Sequence, residues 1–144
     1  MTGVEVRRAR PDERARCLAI RRAVFVEEQG VPIEEEMDAH DPACTHFLAL
    51  VAGEAVGTAR LRVTGDGRVK AERVAVRRPF RGAGVGRALM RALEDEARAL
   101  GARELLLNAQ LPVVAFYERR GYRAEGPEFP EAGIPHRAMR KALT

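Results

Sequence analysis

The sequence predicts an α/β fold, a mixed central sheet of about seven strands flanked by about four helices, and three observations carry that expectation. Short runs of alternating or continuous apolar residues, bounded by turn formers, recur in both halves of the chain. Two longer stretches, residues 12–28 and 85–100, carry apolar residues at helical spacing instead. Between a strand-like run and the second of these lies Arg81-Gly82-Ala83-Gly84-Val85-Gly86, a glycine-rich junction from strand to helix.

In chain order, residues 4–9 read as a first strand, and Asp12 caps a helix that runs to about Glu28. A short helical turn follows over 34–39. Residues 45–52 and 55–64 read as a hairpin across Gly53-Glu54, and Gly65-Asp66-Gly67 turns the chain into the next strand. That strand carries Val69, Ala71, Arg73 and Ala75 on one parity and Lys70, Glu72, Val74 and Val76 on the other, and Pro79 closes it. The next helix stripes Val85, Leu89, Leu93 and Leu100 along one face. Arg91 with Asp95 and Glu94 with Arg98 stand four apart on the other, and Gly101 stops it. Leu105-Leu106-Leu107 leads a strand to Asn108, a short helix runs into Phe116-Tyr117, and residues 122–129 and 135–142 close the sheet as a strand pair. At 144 residues the expectation is one domain, 1–144, burying roughly two-thirds of its unfolded surface.

Composition narrows the function classes. A net charge of +4 suggests nucleic acid at first sight, but 23 of the 25 basic residues are Arg, scattered through every segment without a block of like charge, so nucleic acid is not an expected partner. No apolar run approaches about 18 residues and no charged-then-apolar leader opens the chain, so neither membrane association nor secretion is expected, and the location predicted is cytoplasmic. Cys17 and Cys44 lack metal or redox spacing and read as free and buried. His40 and His46 with Asp38 and Asp41 lack the spacing of a closed ligand set, so no metal is expected. One charge feature stands out: residues 27–41 hold Glu27, Glu28, Glu34, Glu35, Glu36, Asp38 and Asp41 and no Lys or Arg.

The junction at 81–87 is an anion-binding turn by its chemistry. Glycines leave the backbone unshielded, so several N–H groups can converge on a phosphate at the positive end of a helix dipole, with Arg81 and Arg87 adding charge. A Walker loop needs Lys then Ser or Thr after its last glycine, where Arg87 and Ala88 stand. The dinucleotide fingerprint needs a small residue where Arg87 stands.

The remaining pattern, R-x-x-G-x-G from Arg81 to Gly86, resembles the coenzyme A pyrophosphate loop of the GNAT superfamily of N-acetyltransferases. Phe116-Tyr117-Glu118-Arg119-Arg120-Gly121-Tyr122 is similar to that superfamily's F-Y-x-x-x-G-F signature. The run from Arg21 to Pro32 with Glu36, Asp38 and Asp41, and the run from Glu131 to His136, resemble its bacterial ElaA-like or YjcF-like branch, so the likeness spans nearly the whole chain. The resemblance implies a GNAT fold in which two parallel strands splay to form the acyl-CoA cleft, with acetyl-CoA as cosubstrate. It implies cofactor contacts at Val74, Val76, Arg81, Gly82, Ala83, Gly84, Val85, Gly86, Arg87 and Asn108, with Tyr117 as the acid at the leaving thiolate.

The reaction implied is acetyl transfer to a primary amine, a small molecule or a peptide, by direct attack without a covalent enzyme intermediate. An alkylammonium, with a reference pKa of about 10.4, must lose a proton first. Glu72, Glu28, His136 or a water chain is the candidate base. The acidic stretch 27–41 lies on the acceptor side in this superfamily, so it predicts a cationic acceptor. Arg22, Phe25, Gly30, Glu36, Asp38 and Asp41 are also similar to the acyl-homoserine-lactone synthases, although the usual Trp after the glycine is missing. A non-catalytic coenzyme A-binding regulatory module is the other alternative. Exposed strands are compatible with a homodimer.

Overall fold

The computed structural model describes residues 3–143, and the expected α/β architecture is found in them. Its sheet has seven strands: β1 (Val4–Arg8), β2 (Thr45–Val51), β3 (Glu54–Val63), β4 (Val69–Val76), β5 (Glu104–Gln110), β6 (Arg123–Glu131) and β7 (Ile134–Ala142). The spatial order is β1-β2-β3-β4-β5-β7-β6. Neighbours are antiparallel except β4 and β5, which are parallel and pair only at Lys70 with Leu106 and Ala71 with Leu107. Beyond those two pairs the strands part, and residues 72–76 face 108–110 across a gap.

The helices are α1 (Arg14–Arg21), α2 (Ile33–Glu36), α3 (Val85–Ala99) and α4 (Val114–Glu118). The single helix expected over 12–28 is composite. A tight turn at Pro11–Glu13 leads into α1, which widens into a π-helix over Arg22–Glu28, shown by the Gln29 N–H donating to the Val24 carbonyl five residues back. Asp12 does not cap it. Pro11 starts the turn one step earlier, so Glu13 reaches back to the Arg10 N–H at 3.0 Å while Asp12 takes the Arg10 guanidinium at 3.1 Å. The turn expected at 34–39 is the four residues of α2, which begin directly after Pro32.

The sheet is covered on both faces. On one, α3 buries Val85, Leu89, Met90, Leu93 and Ala97 against Phe47, Ala59, Leu61 and Leu107, and α4 adds Tyr117. The approach is close enough that a Cβ at Gly57 of β3 would stand 2.8 Å from Val85. Leu100, expected on the same stripe, is 53% exposed, because α3 ends at Ala99 and the chain turns away there into Gly101, which has a φ of +83°. On the other face Cys17, Ile20 and Val24 pack on Leu48, Leu50 and Ala75.

A bulge in β4 changes the faces its residues present. Thr58 pairs with Ala75 and Arg60 with Glu72, so Ala59 alone stands opposite both Arg73 and Val74, and Arg73 takes the left-handed φ of +56°. The alternation read from the sequence therefore breaks. Val69 and Ala71 face α3, but beyond the bulge Val74 and Val76 pack on that side while Ala75 turns to α1. Glu72 and Val74, expected on a common parity, belong to opposite faces.

Candidate active site

The glycine loop sits at the open end of the β4–β5 gap. A tight turn at Arg78–Phe80 leads into it, and Gly84 is the N-cap of α3 with a φ of +85° and no capping side chain. The first N–H groups of a helix have no intrahelical partner, so here they stay available to a ligand. The three glycines serve different needs. Gly82 and Gly84 both have positive φ, and a Cβ at either would meet no protein atom within 4 Å. Gly86 is helical, and its Cβ would stand 3.2 Å from the Phe116 ring, so there the missing side chain lets α4 approach α3. Ala83 and Val85 complete the turn, and Val85 is buried as the first core residue of α3.

Arg81 is already engaged. Its guanidinium grips both Glu28 oxygens, at 2.5 and 2.8 Å, and donates to the Val76 carbonyl at 2.9 Å. The end of the π-helix is thereby tied to the loop. Glu28, with Arg78 also at 3.4 Å, is held below the ordinary carboxylate pKa by the Arg81 hydrogen bond and charge. The next residue spans the gap in another direction: the Gln110 amide donates to Gln29 at 2.9 Å, joining β5 to the same helix end.

Tyr117 lies on the α3 side of the sheet, edge-on to Phe116 at 5.0 Å and to Tyr122 at 5.7 Å between ring centroids. Burial pushes its hydroxyl up to about 12, opposed only by the Arg120 charge. Tyr122 differs, because its hydroxyl donates to Glu94 at 2.7 Å and so has a structural partner. Beside α3 and α4 opens a cavity of about 460 Å³ lined by Arg87, Arg91, Arg119, Arg120 and Lys141, with Met90 and Glu94. Arg120 is fixed over the Phe116 ring at 3.8 Å.

On the α1 side of β4 the acidic stretch meets arginines from distant segments. Arg21 binds Glu36 at 2.7 Å and Asp41 at 2.9 Å. Arg60, 1% exposed, binds Asp38 and Asp41 at 2.7 Å and Glu72 at 2.8 Å. Arg62 grips Glu72 through two bonds of 3.0 Å, and Arg73 holds the Glu36 carbonyl at 2.9 Å and Asp38 at 3.2 Å. Burial alone would raise the pKa of Glu72, but Arg62 and Arg60 overcome it and hold the carboxyl below its ordinary value. The seven carboxylates of 27–41 thus do not form a uniform negative wall: Glu28, Glu36, Asp38 and Asp41 are matched by arginines, whereas Glu27, Glu34 and Glu35 are exposed.

A third polar group lies across the gap on the same face. Leu107 and Ala109 point to α3, so Asn108 and Gln110 point the other way, as does His136, which pairs with Gln110 in register. The Asn108 amide donates to Glu131 at 3.0 Å. The His136 Nδ1 is 2.6 Å from the Ile134 carbonyl, and its Nε2 is 3.7 Å from Glu131.

The structure therefore places Val74, Val76 and Tyr117 on the α3 face with the loop at the start of α3, puts the Asn108 side chain on the opposite face, and sets Glu72 and Glu28 inside arginine pairs. Sequence reasoning did not identify the Gln29–Gln110 bridge or the four-arginine cavity. Cys17 and Cys44 are free and buried. Among the described residues no cluster of three or more His, Cys, Asp or Glu is placed to hold a metal ion, and no helix is long and apolar enough to cross a membrane.

Comparison with known proteins agrees with this geometry. The family described as Acetyltransferase (GNAT) domain matches residues 11–143. The Bacillus subtilis protein described as uncharacterized N-acetyltransferase YjcF is 44% identical over 123 residues, 85% of this chain and 87% of the relative. Escherichia coli ElaA superposes with a TM-score of 0.82 at 28% identity, over 98% of this chain and 99% of that one. An acyl-CoA N-acyltransferase from Pseudomonas aeruginosa superposes at 0.83 with 31% identity, over 99% of this chain and 100% of its own.

Proposed function

The chain belongs to the GNAT acetyltransferase family, and from that premise we infer that it transfers an acetyl group from acetyl-CoA to a primary amine by direct attack. The observation that carries this reading is the uncapped, glycine-bounded start of α3 at the mouth of a parallel strand pair that hydrogen-bonds at only two positions. In this reading the pyrophosphate rests on the amides of residues 82–87. Arg87 and the arginine-lined cavity receive the charge at the nucleotide end. Val74 and Val76 line the pantetheine arm on the α3 face, and the bulge at Arg73 leaves a ladder position beside Val74 free to meet the acetyl oxygen. Asn108 contacts the cofactor through its backbone, since its side-chain amide is turned to Glu131.

Tyr117 donates a proton to the departing thiolate, whose conjugate thiol has a pKa of about 8.5. Its raised pKa keeps the hydroxyl protonated at any working pH. Glu72 and Glu28 are weak candidates for the base, because their arginine partners favour the ionised carboxylate and so lower its affinity for a proton. No covalent intermediate is required. Cys17 is packed between α1 and the sheet, and burial raises the pKa of both thiols.

The whole chain, 1–144, acts as one catalytic domain in this reading, in the cytoplasm where acetyl-CoA and free thiols coexist. A homodimer would form along β1, because Pro127 and Pro130 interrupt the opposite edge, β6. Thiol release from acetyl-CoA over a panel of polyamines, aminosugars, amino acids and lysine peptides tests the reaction. Release with one amine supports transfer, whereas acetyl-CoA binding with no release from any amine would favour the regulatory module.

A further inference from the structure

We propose that Glu131, His136 and Asn108 form the acceptor's ammonium site, in which the Glu131 carboxylate receives the alkylammonium and His136 Nε2 takes its proton. The inference rests on the acetyl-transfer reading and adds to it the amine-recognising group and the base. Its first ground is position. Asn108, Gln110 and His136 share the sheet face opposite α3 and α4, at the end of β5 where β4 has already diverged, so an amine arriving there meets the cleft from the side opposite the cofactor loop.

The second ground is charge. The carboxylates of 27–41 nearest β4 are matched by Arg21, Arg60 and Arg73, leaving little net attraction for a cation there. Glu131 has no arginine or lysine within ion-pair distance among the described residues. Its neighbours are the Asn108 amide at 3.0 Å and the His136 ring at 3.7 Å, and its side chain is 46% exposed. A carboxylate oriented by one neutral amide donor and open to solvent is suited to bind an incoming ammonium.

The third ground is the imidazole's tautomer. A carbonyl only accepts, so the 2.6 Å contact of Nδ1 with Ile134 places the proton on Nδ1 and leaves the Nε2 lone pair towards Glu131. Phe129 stacks on the ring from β6, Gln110 flanks it from β5, and Glu131 is the charged side chain at ion-pair distance. The ammonium R–NH3+ gives one proton to Nε2, and Glu131 stabilises the imidazolium. The neutral nitrogen forms the C–N bond, the C–S bond breaks, and the nitrogen's second proton replaces the one Tyr117 gives to sulfur. Amide and coenzyme A thiol leave, and the imidazolium returns its proton to water.

The test begins with the wild-type protein saturated with coenzyme A, observed by proton NMR, with the His136 ring signal assigned by its loss in His136→Gln. Propylammonium chloride should move that signal saturably, tetramethylammonium chloride should not, and Glu131→Gln should abolish the shift. With the best amine of the thiol-release panel, Glu131→Gln should raise KM for amine at least tenfold, and His136→Gln should lower kcat about 100-fold. Both variants should keep acetyl-CoA affinity within about twofold. An unmoved His136 signal, or variants that turn over like wild type, would overturn the site while leaving acetyl transfer intact. Failure of the wild type to bind acetyl-CoA would overturn acetyl transfer and this site with it.

Discussion

Gly84 and Gly86 lie two residues apart and answer to different constraints, which makes them separable by mutation. Gly84→Ala puts a methyl group into open space at a φ of +85°, so its cost in the free protein is backbone strain of roughly 1–2 kcal/mol, and any further loss appears only when ligand must approach the amide. Gly86→Val instead drives into Phe116 and should lower stability by about 1–3 kcal/mol through overpacking between α3 and α4. Urea denaturation with and without acetyl-CoA distinguishes the two. Tyr117→Phe should reduce kcat by about tenfold to a hundredfold, with acetyl-CoA affinity within about twofold. Because burial holds the Tyr117 hydroxyl at about 12, its protonated form persists through the assay range, and kcat should show no alkaline loss attributable to it below about pH 10. An alkaline limb near pH 8 that vanished in Tyr117→Phe would contradict the upward shift that burial gives this hydroxyl.

The bulge of β4 and the ion-pair network around it belong together. Arg73, left-handed at the bulge, is anchored by the Glu36 carbonyl and Asp38, while Arg60 and Arg62 fix Glu72 on the preceding position. Removing Arg60 would leave Asp38, Asp41 and Glu72 with one arginine each, Arg73, Arg21 and Arg62, and would take away several charge-assisted hydrogen bonds, so Arg60→Ala should cost about 1–3 kcal/mol by chemical denaturation. The same carboxylates make the fold acid-sensitive. Asp38, Asp41 and Glu72 have pKa values lowered by their arginines, so the stability they confer is complete above the unfolded carboxylate values of about 4 and is lost as pH falls below them. The thermal midpoint should fall steadily from pH 5 to pH 3, and Arg60→Ala should flatten that dependence. The elements were legible because periodicity and punctuation are local: α3, the β2–β3 hairpin and the stop at Gly101 stand where alternation and glycine put them. The bulge was not, because one extra residue in a strand leaves no mark in composition, and it alone moved Glu72 to the face opposite Val74. The partners of the acidic stretch were hidden for a related reason, since Arg21, Arg60 and Arg73 come from three separate segments.

Across the whole molecule, the two faces of the sheet divide the chemistry. The face of α3 and α4 carries the glycine loop, Tyr117 and a cavity with four arginines, and the opposite face carries the ion-pair network and the Glu131–His136 pair. The loop and the signature around Tyr117 were readable because both are contiguous in sequence, whereas the cavity is assembled from α3, the end of α4 and β7 and became visible only in three dimensions. Its charge implies that acetyl-CoA affinity falls as salt rises from about 50 to 500 mM, while a neutral pantetheine fragment should show little dependence. The most direct test of the central claim is calorimetric titration of wild type and Gly84→Val with acetyl-CoA under one buffer condition. Saturable binding of one acetyl-CoA per chain, weakened at least tenfold in a variant that remains folded, is the result this account predicts. Absence of binding by the wild type, or equal affinity in the two proteins, would contradict the assignment of the 81–87 turn as the cofactor's phosphate site.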